Sequence, residues 1–297
     1  MGFISSNPSM KKEHCANEEN GGHHPRPCSA DHIGPISLGF CHRPEFQFLC
    51  KPCNSAKNNR MYYTDVLHLI EVEKGGETVA TWYADPIWQK CKGKVTDKES
   101  ALRLSRVMRD NRNVAIMLLA DFIDRNEFLF LFTLLNLEYA DYDYDIIPGT
   151  TKISHQIVTV DFSQKASTLR YVNIQKTRKI RVAFSSLSEY AKKENRNGYT
   201  YTNAKIEALK KQAFIILSNI NSNMKKLNAS LIAALSDEER IDAEIEAFLS
   251  SVDYTALKCT QEFIDVKELL KQIMELVAQE LSSNWDDPRY SRETADE

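Results

Sequence analysis

The chain has 297 residues and a formal net charge of −3, with 42% hydrophobic and 27% charged residues. This composition is typical of a soluble globular protein and argues against global disorder, and the length allows two domains. The longest predominantly apolar stretches, 114–123 and 128–135, are too short to span a bilayer, and residues 1–12 have no secretory pattern. We therefore expect a cytoplasmic protein that does not associate with a membrane.

Cysteines and histidines crowd near the start of the chain. Five of the seven cysteines lie between Cys15 and Cys53, and five of the seven histidines lie between His14 and His42. An odd number of unevenly spaced cysteines does not indicate a disulfide framework. Such a concentration of soft ligands instead predicts a bound metal in a reducing compartment.

Charge is distributed in two opposite regions that the small net value conceals. Residues 165–196 include nine basic and two acidic residues, whereas residues 237–297 include 17 acidic and six basic residues. The basic region is a candidate for contacts with a polyanion, and the acidic region should face away from it.

In chain order, residues 1–20 are polar and predict a flexible segment. Residues 21–64 are rich in Gly, Pro, Cys and His with little periodicity, which predicts a small module that needs a metal to hold it together. Residues 65–185 predict a mixed helix and strand region. Within it, alternation in 66–73 and 77–84 around Lys74-Gly75-Gly76 predicts a β-hairpin, and 97–137 predicts two or three helices capped by Asp97 or Ser100.

The second half of the chain changes its periodicity once. Residues 153–184 are enriched in β-branched and aromatic residues, and the alternation in 157–162 and 179–184 predicts two or three strands. Residues 186–284 have helical spacing throughout and predict a helical region. Residues 285–297 predict a polar tail.

One stretch carries a recognisable motif. Residues 28–40 read CSADHIGPISLGF and residues 46–57 read FQFLCKPCNSAK. Together they resemble the HNH, or ββα-metal, nuclease superfamily: a strand ending in Asp-His, then Ile-x-Pro-x-Ser-x-Gly, a return strand, and Cys-x-x-Cys-Asn-x-x-Lys opening a helix. Among HNH proteins, the sequence of this stretch is most similar to that of bacterial type II restriction endonucleases, including type IIS enzymes. The resemblance covers about Cys15 to Arg60, roughly a fifth of the chain.

The chemistry of phosphodiester cleavage gives a reason for three of these residues. A carboxylate (Asp31) and an amide carbonyl (Asn54) can hold Mg²⁺, or Mn²⁺, while leaving most of its shell open for phosphate and water. A histidine, with a reference pKa near 6.5, can take the proton of the attacking water. By resemblance, Asp31 and Asn54 are the metal ligands and His32 is the general base, and the product carries a 5′-phosphate. Asp31 and His32 reach one phosphate only if the strand ends or bends there, which Gly34-Pro35 favours.

A structural zinc site is the second implication of the resemblance. Cys50 and Cys53 correspond to half of the family's zinc site, which is separate from the catalytic ion. The usual first half, another Cys-x-x-Cys, is absent, so Cys15 and Cys28 are the candidate remaining ligands, with His14, His24 and Cys41 as alternatives. A second departure is Glu45, which precedes Phe46 and Gln47 where relatives often have an Asn that helps to fix the histidine.

A nuclease module of this size contacts few phosphates, so affinity for double-stranded DNA must come largely from elsewhere. Lys57 and Arg60 are candidate contacts within the module, although an exposed lysine on a helix is ordinarily only solvated. The alternative interpretation of the basic region is the solvated face of a sheet. As DNA contacts, it adds five further candidates on its predicted strands: Arg170, Lys176, Arg178, Lys179 and Arg181.

These observations together predict an α+β protein with a small zinc-stabilised ββα-metal (HNH) module followed by a larger mixed α/β region that ends in helices. The expected function is that of a metal-dependent, sequence-specific DNA endonuclease of the restriction type, acting as a homodimer or as a subunit of a heteromeric nuclease. Two other hypotheses are a nonspecific defence or phage nuclease, and a DNA-binding or interaction protein whose HNH frame has lost activity.

Overall fold

The computed structural model describes residues 15–17, 23–41, 46–137, 141–146, 153–158, 166–194 and 203–291. Two short antiparallel strands, β1 (Cys28–His32) and β2 (Phe46–Cys50), lead directly into helix α1 (Lys51–Lys57). The elements that follow are α2 (Tyr63–Lys74), α3 (Asp85–Cys91), α4 (Lys98–Asp124), α5 (Phe128–Leu134), β3 (Asp141–Ile146), β4 (Ile153–Val158), α6 (Ala166–Glu194), α7 (Ala204–Ser218), α8 (Ser222–Ser236), α9 (Ile241–Ser251), α10 (Tyr254–Lys258) and α11 (Gln261–Ser283). The described chain is therefore a helix-dominated α+β protein with two small two-stranded sheets.

Two compact units divide the chain. The first comprises Met1–Arg112, Asp143–Gln156 and Ala278–Glu297, and the second comprises Asn113–Tyr142 and Ile157–Val277. The second unit has an aromatic core around α5, whose sequence FLFLFTL places Phe130 against Phe263 and Phe132 against both Phe248 and Tyr254. The domain boundaries predicted after residues 20, 64 and 185 stay predictions.

The β-hairpin predicted around Lys74-Gly75-Gly76 is wrong. Helix α2 covers its first half, and it buries Val66 and Leu69, three residues apart, while Leu67 is 43% exposed. Residues three apart share a helix face, so a helix buries Val66 and Leu69 together. The local alternation of apolar residues fits a strand equally well, which is why the prediction was wrong. The second half instead lies beside the HNH-like motif, because Ala80 forms an isolated bridge with Phe40.

The strand predicted over 179–184 is also wrong, since α6 is one helix from Ala166 to Glu194. Ile180 and Phe184 are buried whereas Val182 is 50% exposed. In a strand all three would share a face, but in a helix only the residues four apart do. Strand β4 (Ile153–Val158) lies at the start of the stretch 153–184 for which strands were predicted, but most of the alternating segment 157–162 lies outside the described residues.

The helices predicted over 97–137 are confirmed as α4 and α5, and the described part of 186–284 is helical as predicted, with short connections between its helices. Asp97 begins α4 as expected: its carboxylate accepts from the Ser100 amide (2.8 Å), and the Ser100 hydroxyl accepts from the Asp97 amide (3.0 Å). This reciprocal arrangement satisfies amide donors that the first turn of a helix leaves without intrahelical partners.

Residues 285–291 do not form a polar tail. Trp285 and Tyr290 are buried, and the Tyr290 hydroxyl donates to Asp110 on α4. Arg103, also on α4, pairs with Asp286 at 2.8 Å. Apolar burial of two aromatic rings outweighed the polar average of the segment. Residues 292–297 lie outside the described residues, and none of the described helices has the length and apolarity needed to cross a membrane.

Two glycines explain why the motif between β1 and β2 has its particular form. A Cβ at Gly34 would lie 2.8 Å from the Phe40 ring, so the chain can pack the ring there only without a side chain. Gly39 ends a short 3₁₀ turn (Ile36–Leu38) with φ +96°, and a Cβ would lie 2.6 Å from the Cβ of Ala84. The turn therefore fixes the chain just past Asp31-His32 against the segment before α3.

We predict that Gly39→Ala destabilises the protein by about 2–4 kcal/mol, because it adds both a left-handed backbone penalty and a steric overlap. Gly76→Ala is the matched control, since Gly76 has φ +90° but nothing within 4 Å of its Cβ position. It should cost only about 1–2 kcal/mol. Chemical denaturation measures both values, and equal losses would contradict the role given to the contact with Ala84.

Candidate functional site

The candidate site is built on the β1–β2–α1 unit. The strands pair Asp31 with Gln47 and His32 with Phe46, and α1 follows β2 without a loop, with Cys50 as its N-cap residue. Strand β1 ends at His32, and the chain bends at Ile33 and Gly34. Ser29 and Asp31 are two residues apart on β1 and therefore share one face of the sheet, whereas His32 lies on the other.

Four potential metal ligands converge at one end of this unit: Cys15, His24, Cys50 and Cys53, whose ligand atoms all lie within 4.8 Å of one another. The Nδ1 atom of His24 is 3.6 Å from the sulfur of Cys50 and 3.5 Å from that of Cys53. With zinc bonds of about 2.3 Å to sulfur and 2.0–2.1 Å to nitrogen, a tetrahedral site separates these atoms by about 3.5 Å. The donor set and the distances therefore fit zinc.

The pKa values of two thiols in this cluster are shifted in opposite directions. Burial raises the pKa of Cys15, but hydrogen bonds with the backbone of Cys50 and Asn17 and with the side chains of Cys50 and Cys53 together outweigh burial, so the pKa is lowered overall. Burial, followed by the neighbouring sulfurs of Cys50 and Cys15, raises the pKa of Cys53 to about 11. Thiolates are the metal-binding form, and a divalent cation relieves the mutual repulsion that keeps a second thiol protonated.

The geometry selects His24 as the fourth member of this set, an alternative that sequence had left open. Of the other candidates, Cys28 and Cys41 are not among the four converging residues, and His14 lies outside the described residues. Cys28 is the nearer of the two cysteines to this cluster. It packs instead against the small apolar cluster of Cys15, Leu49 and Cys50.

Ser29 connects Asn54 to the face of β1 on which Asp31 lies. The Asn54 amide donates through Nδ2 to the Ser29 hydroxyl at 2.9 Å, and this hydroxyl donates to the Leu49 carbonyl at 3.3 Å. Because the amide nitrogen is used by Ser29, the oxygen of Asn54 is the atom available to a cation. Ser29 was not predicted, although its position two residues before Asp31 on a strand is a usable signal.

Lys57 is enclosed, contrary to the prediction that it contacts DNA. Its side chain has no exposed surface, and its ammonium lies 2.5 Å from Asp31 and 3.2 Å from Asp65. It also donates to the backbone carbonyls of His32 (2.9 Å) and Ile33 (3.4 Å). A charge buried in this way serves contacts inside the protein. Its partner Asp65 has no signal in the sequence, because the pair crosses the turn between α1 and α2.

The ring of His32 contacts aromatic and apolar groups. It packs against Phe46 with 4.6 Å between ring centroids. It also lines a small pocket with mainly apolar neighbours, namely Ile33, Gly34, Phe40, Cys41, Leu69 and Val79. The structure therefore brings Asp31, Asn54 and Lys57 to the helix side of the sheet and places the imidazole at the end of β1, beside the bend.

The other predicted DNA contacts are separated along the chain. Arg60 is partly exposed just past α1. The five candidates of the basic region lie on helix α6, which corrects their assignment to strands: Arg170, Lys176, Arg178, Lys179 and Arg181. Arg178 and Lys179 are exposed, whereas Arg181 lies 3.8 Å from Asp242 on α9.

Comparison with known families identifies the class as a type II restriction endonuclease, a hydrolase that cuts DNA. The matching family model is described as Type II restriction endonuclease (RE_Alw26IDE) and covers residues 1–282, so the chain belongs to this family. No curated protein and no solved structure matches the chain. The family implies binding to DNA, and enzymes of this class usually use Mg²⁺.

We predict that the purified protein holds one zinc ion at the Cys15, His24, Cys50 and Cys53 cluster. Cys50→Ser should lose the metal and lower the unfolding temperature, because a structural zinc site contributes folding free energy directly. Elemental analysis and thermal unfolding measure the two effects. Cys28→Ser, beside the cluster, and Cys259→Ser, on an exposed site, are the controls. Loss of zinc from Cys28→Ser as complete as from Cys50→Ser would contradict the ligand set.

Proposed function

We propose that the chain is a metal-dependent DNA endonuclease that uses an HNH, one-metal mechanism at the β1–β2–α1 unit. The observation that supports the proposal is that Asp31, bound by Lys57, and Asn54, bound to Ser29, lie toward the same face of a strand–strand–helix unit in a member of a restriction endonuclease family. We further propose that zinc is structural and Mg²⁺, or Mn²⁺, is catalytic.

The oxygens of Asp31 and Asn54 would hold the divalent ion. When bound, Mg²⁺ supplies stabilisation of the negative charge on the phosphate and on the departing oxygen. Both ligands are oriented from the far side, Asp31 by Lys57 and Asn54 by Ser29, so their free oxygens need little rearrangement.

His32 acts as the general base that takes the proton of the attacking water. His32 is the last residue of β1, and we propose that the bend at Ile33 and Gly34 turns its imidazole toward a phosphate bound at the Asp31 side. The pocket around the ring is lined by mainly apolar groups, which keeps bulk water from that side of the imidazole. The product retains a 5′-phosphate.

One such site cuts one strand at a time. Cleavage of a duplex at a defined sequence therefore needs two sites or two successive events, and we propose a homodimer or a subunit of a heteromeric nuclease. Sequence recognition belongs to the rest of the chain, because the module contacts too few bases to specify a site.

We propose that Arg178 and Lys179 on α6 contact DNA phosphates. Both are exposed, and they are adjacent on a helix whose buried face is formed by Thr177, Ile180 and Phe184. Arg181 is the weaker candidate, because Asp242 already offers it a carboxylate at 3.8 Å.

For catalysis, we predict that His32→Ala lowers the rate of plasmid cleavage in Mg²⁺ by at least about a hundredfold, the usual contribution of a general base. Asp31→Asn and Asn54→Ala should also be impaired, because each removes an oxygen ligand. His68→Ala, on α2 outside the site, is the control. Discrete bands support a sequence-specific enzyme and a smear supports a nonspecific nuclease. Retarded but intact DNA, or full activity of His32→Ala, would refute the proposed mechanism.

For DNA binding, we predict that the double variant Arg178→Ala/Lys179→Ala binds its target more weakly. The slope of log affinity against log salt should become shallower by about 2, roughly 0.9 for each lost phosphate contact. The control is Lys225→Ala/Lys226→Ala, which removes the same charge from exposed positions of α8. If both variants show the same affinity and salt slope, the basic face of α6 is merely solvated.

A further inference from the structure

The buried ammonium of Lys57 is the most unusual charge in the β1–β2–α1 unit. The residue is only 1% exposed, and its Nζ has four oxygen neighbours: Asp31 Oδ2, Asp65 Oδ2 and the carbonyls of His32 and Ile33. An ammonium has three N–H donors, so these acceptors satisfy it fully. Lysine is rarely enclosed, and such complete pairing is what makes it tolerable.

The hydrogen bonds that Asp31 accepts from Lys57 and Gln47 both end on one carboxylate oxygen. Lys57 reaches its Oδ2 at 2.5 Å, and the Nε2 of Gln47 reaches the same Oδ2 at 3.4 Å. Gln47 is held in turn by Asp65, whose Oδ1 accepts from its amide at 3.0 Å. Both donors bind the same carboxylate oxygen, so Oδ1 is the oxygen that Lys57 and Gln47 leave to another ligand.

The backbone contacts extend the effect beyond one side chain. By binding the carbonyls of His32 and Ile33, Lys57 fixes the peptide groups that follow Asp31, at the point where β1 ends and the chain bends. The direction of the His32 side chain depends on this backbone. One ammonium therefore controls the position of both predicted catalytic groups of the Asp-His pair.

The charge of Lys57 matters as well as its hydrogen bonds. It lies between two carboxylates, Asp31 and Asp65, and burial raises the pKa of Asp65 while Lys57 opposes this rise. Ligand charge and site rigidity set the affinity of oxygen sites for divalent ions. A positive charge beside Asp31 keeps the affinity moderate and limits the carboxylate to one oxygen, so more of the ion's shell stays open to phosphate and water.

We infer that Lys57 is a positioning residue of the nuclease site: it holds Asp31 by Oδ2 and the peptide carbonyls after it, so that Oδ1 binds the divalent ion in a monodentate, weakly held and open arrangement. This inference rests on the proposed function. A merely structural Lys57 would join α1 to β1 without affecting the ion.

The test compares variants whose buried charge is balanced. Lys57→Met alone would leave Asp65 as an uncompensated buried carboxylate and risks unfolding. Lys57→Met/Asp65→Asn removes one charge of each sign, and Asp65→Asn is its reference, because it retains the contact between Lys57 and Asp31. Lys57→Gln/Asp65→Asn is a second form with a donor but no charge. Lys51→Met, an exposed lysine on the same helix, is the matched control.

Two quantities are measured on zinc-loaded protein: the dissociation constant for Mn²⁺ by calorimetry, and the cleavage rate at saturating Mn²⁺. Relative to Asp65→Asn, Lys57→Met/Asp65→Asn should bind Mn²⁺ about tenfold more tightly, because a positive charge near the ion is gone, yet cleave at least about tenfold more slowly. Lys51→Met should match the wild type in both.

An unchanged Mn²⁺ affinity or an unchanged saturating rate in both charge-balanced double variants overturns the inference. Thermal unfolding without divalent ions separates this from simple loss of fold. Failure of the proposed function has a different signature, since Asp31→Asn would then bind Mn²⁺ and cleave DNA like the wild type.

Discussion

The attachment of a seven-residue helix to a two-stranded sheet is the constraint on which the candidate site depends. Helix α1 and the strands β1 and β2 bury few apolar side chains of their own, so area burial alone cannot fix their arrangement. Cys50 and Cys53 at the beginning of α1 lie beside Cys15 and His24, so the proposed zinc ion would attach this end, and Lys57 attaches the last turn of α1 to Asp31. Asn54 lies between these two attachment points, so both of them determine its position.

The two anchors differ in how they respond to change. A metal cluster contributes folding free energy only when its thiols are deprotonated and the ion is present. The Lys57 network needs no cofactor, but loss of one partner leaves a buried charge, which typically costs about 3–5 kcal/mol. With the proposed zinc bound, the module has one end that depends on the metal and one end that depends on an intact set of charges, and the proposed nuclease site between them depends on both.

Local sequence predicted the elements that carry the motif because each motif residue has a local structural job. Gly39 needs its positive φ, and the cysteine pair opens α1. It failed for 179–184, where the spacing of Ile180 and Phe184 satisfies a helix and a strand alike. It also missed the pairing of Lys57 with Asp65 and the selection of His24 over Cys28, because both depend on segments that meet only after folding.

The burial of Lys57 changes where DNA must be held. An exposed lysine three residues after Asn54 would have given the module its own phosphate contact. The ammonium of Lys57 is instead paired with Asp31 and Asp65 inside the protein. The basic region is also smaller than its composition suggests, since Arg181 lies beside Asp242 of the acidic helix α9. Because counterion release scales with the number of phosphates neutralised, each such loss reduces nonspecific affinity and its salt dependence. Each cation paired within the protein shifts the balance of binding free energy from phosphate contacts toward base contacts, which favours cleavage at defined sequences.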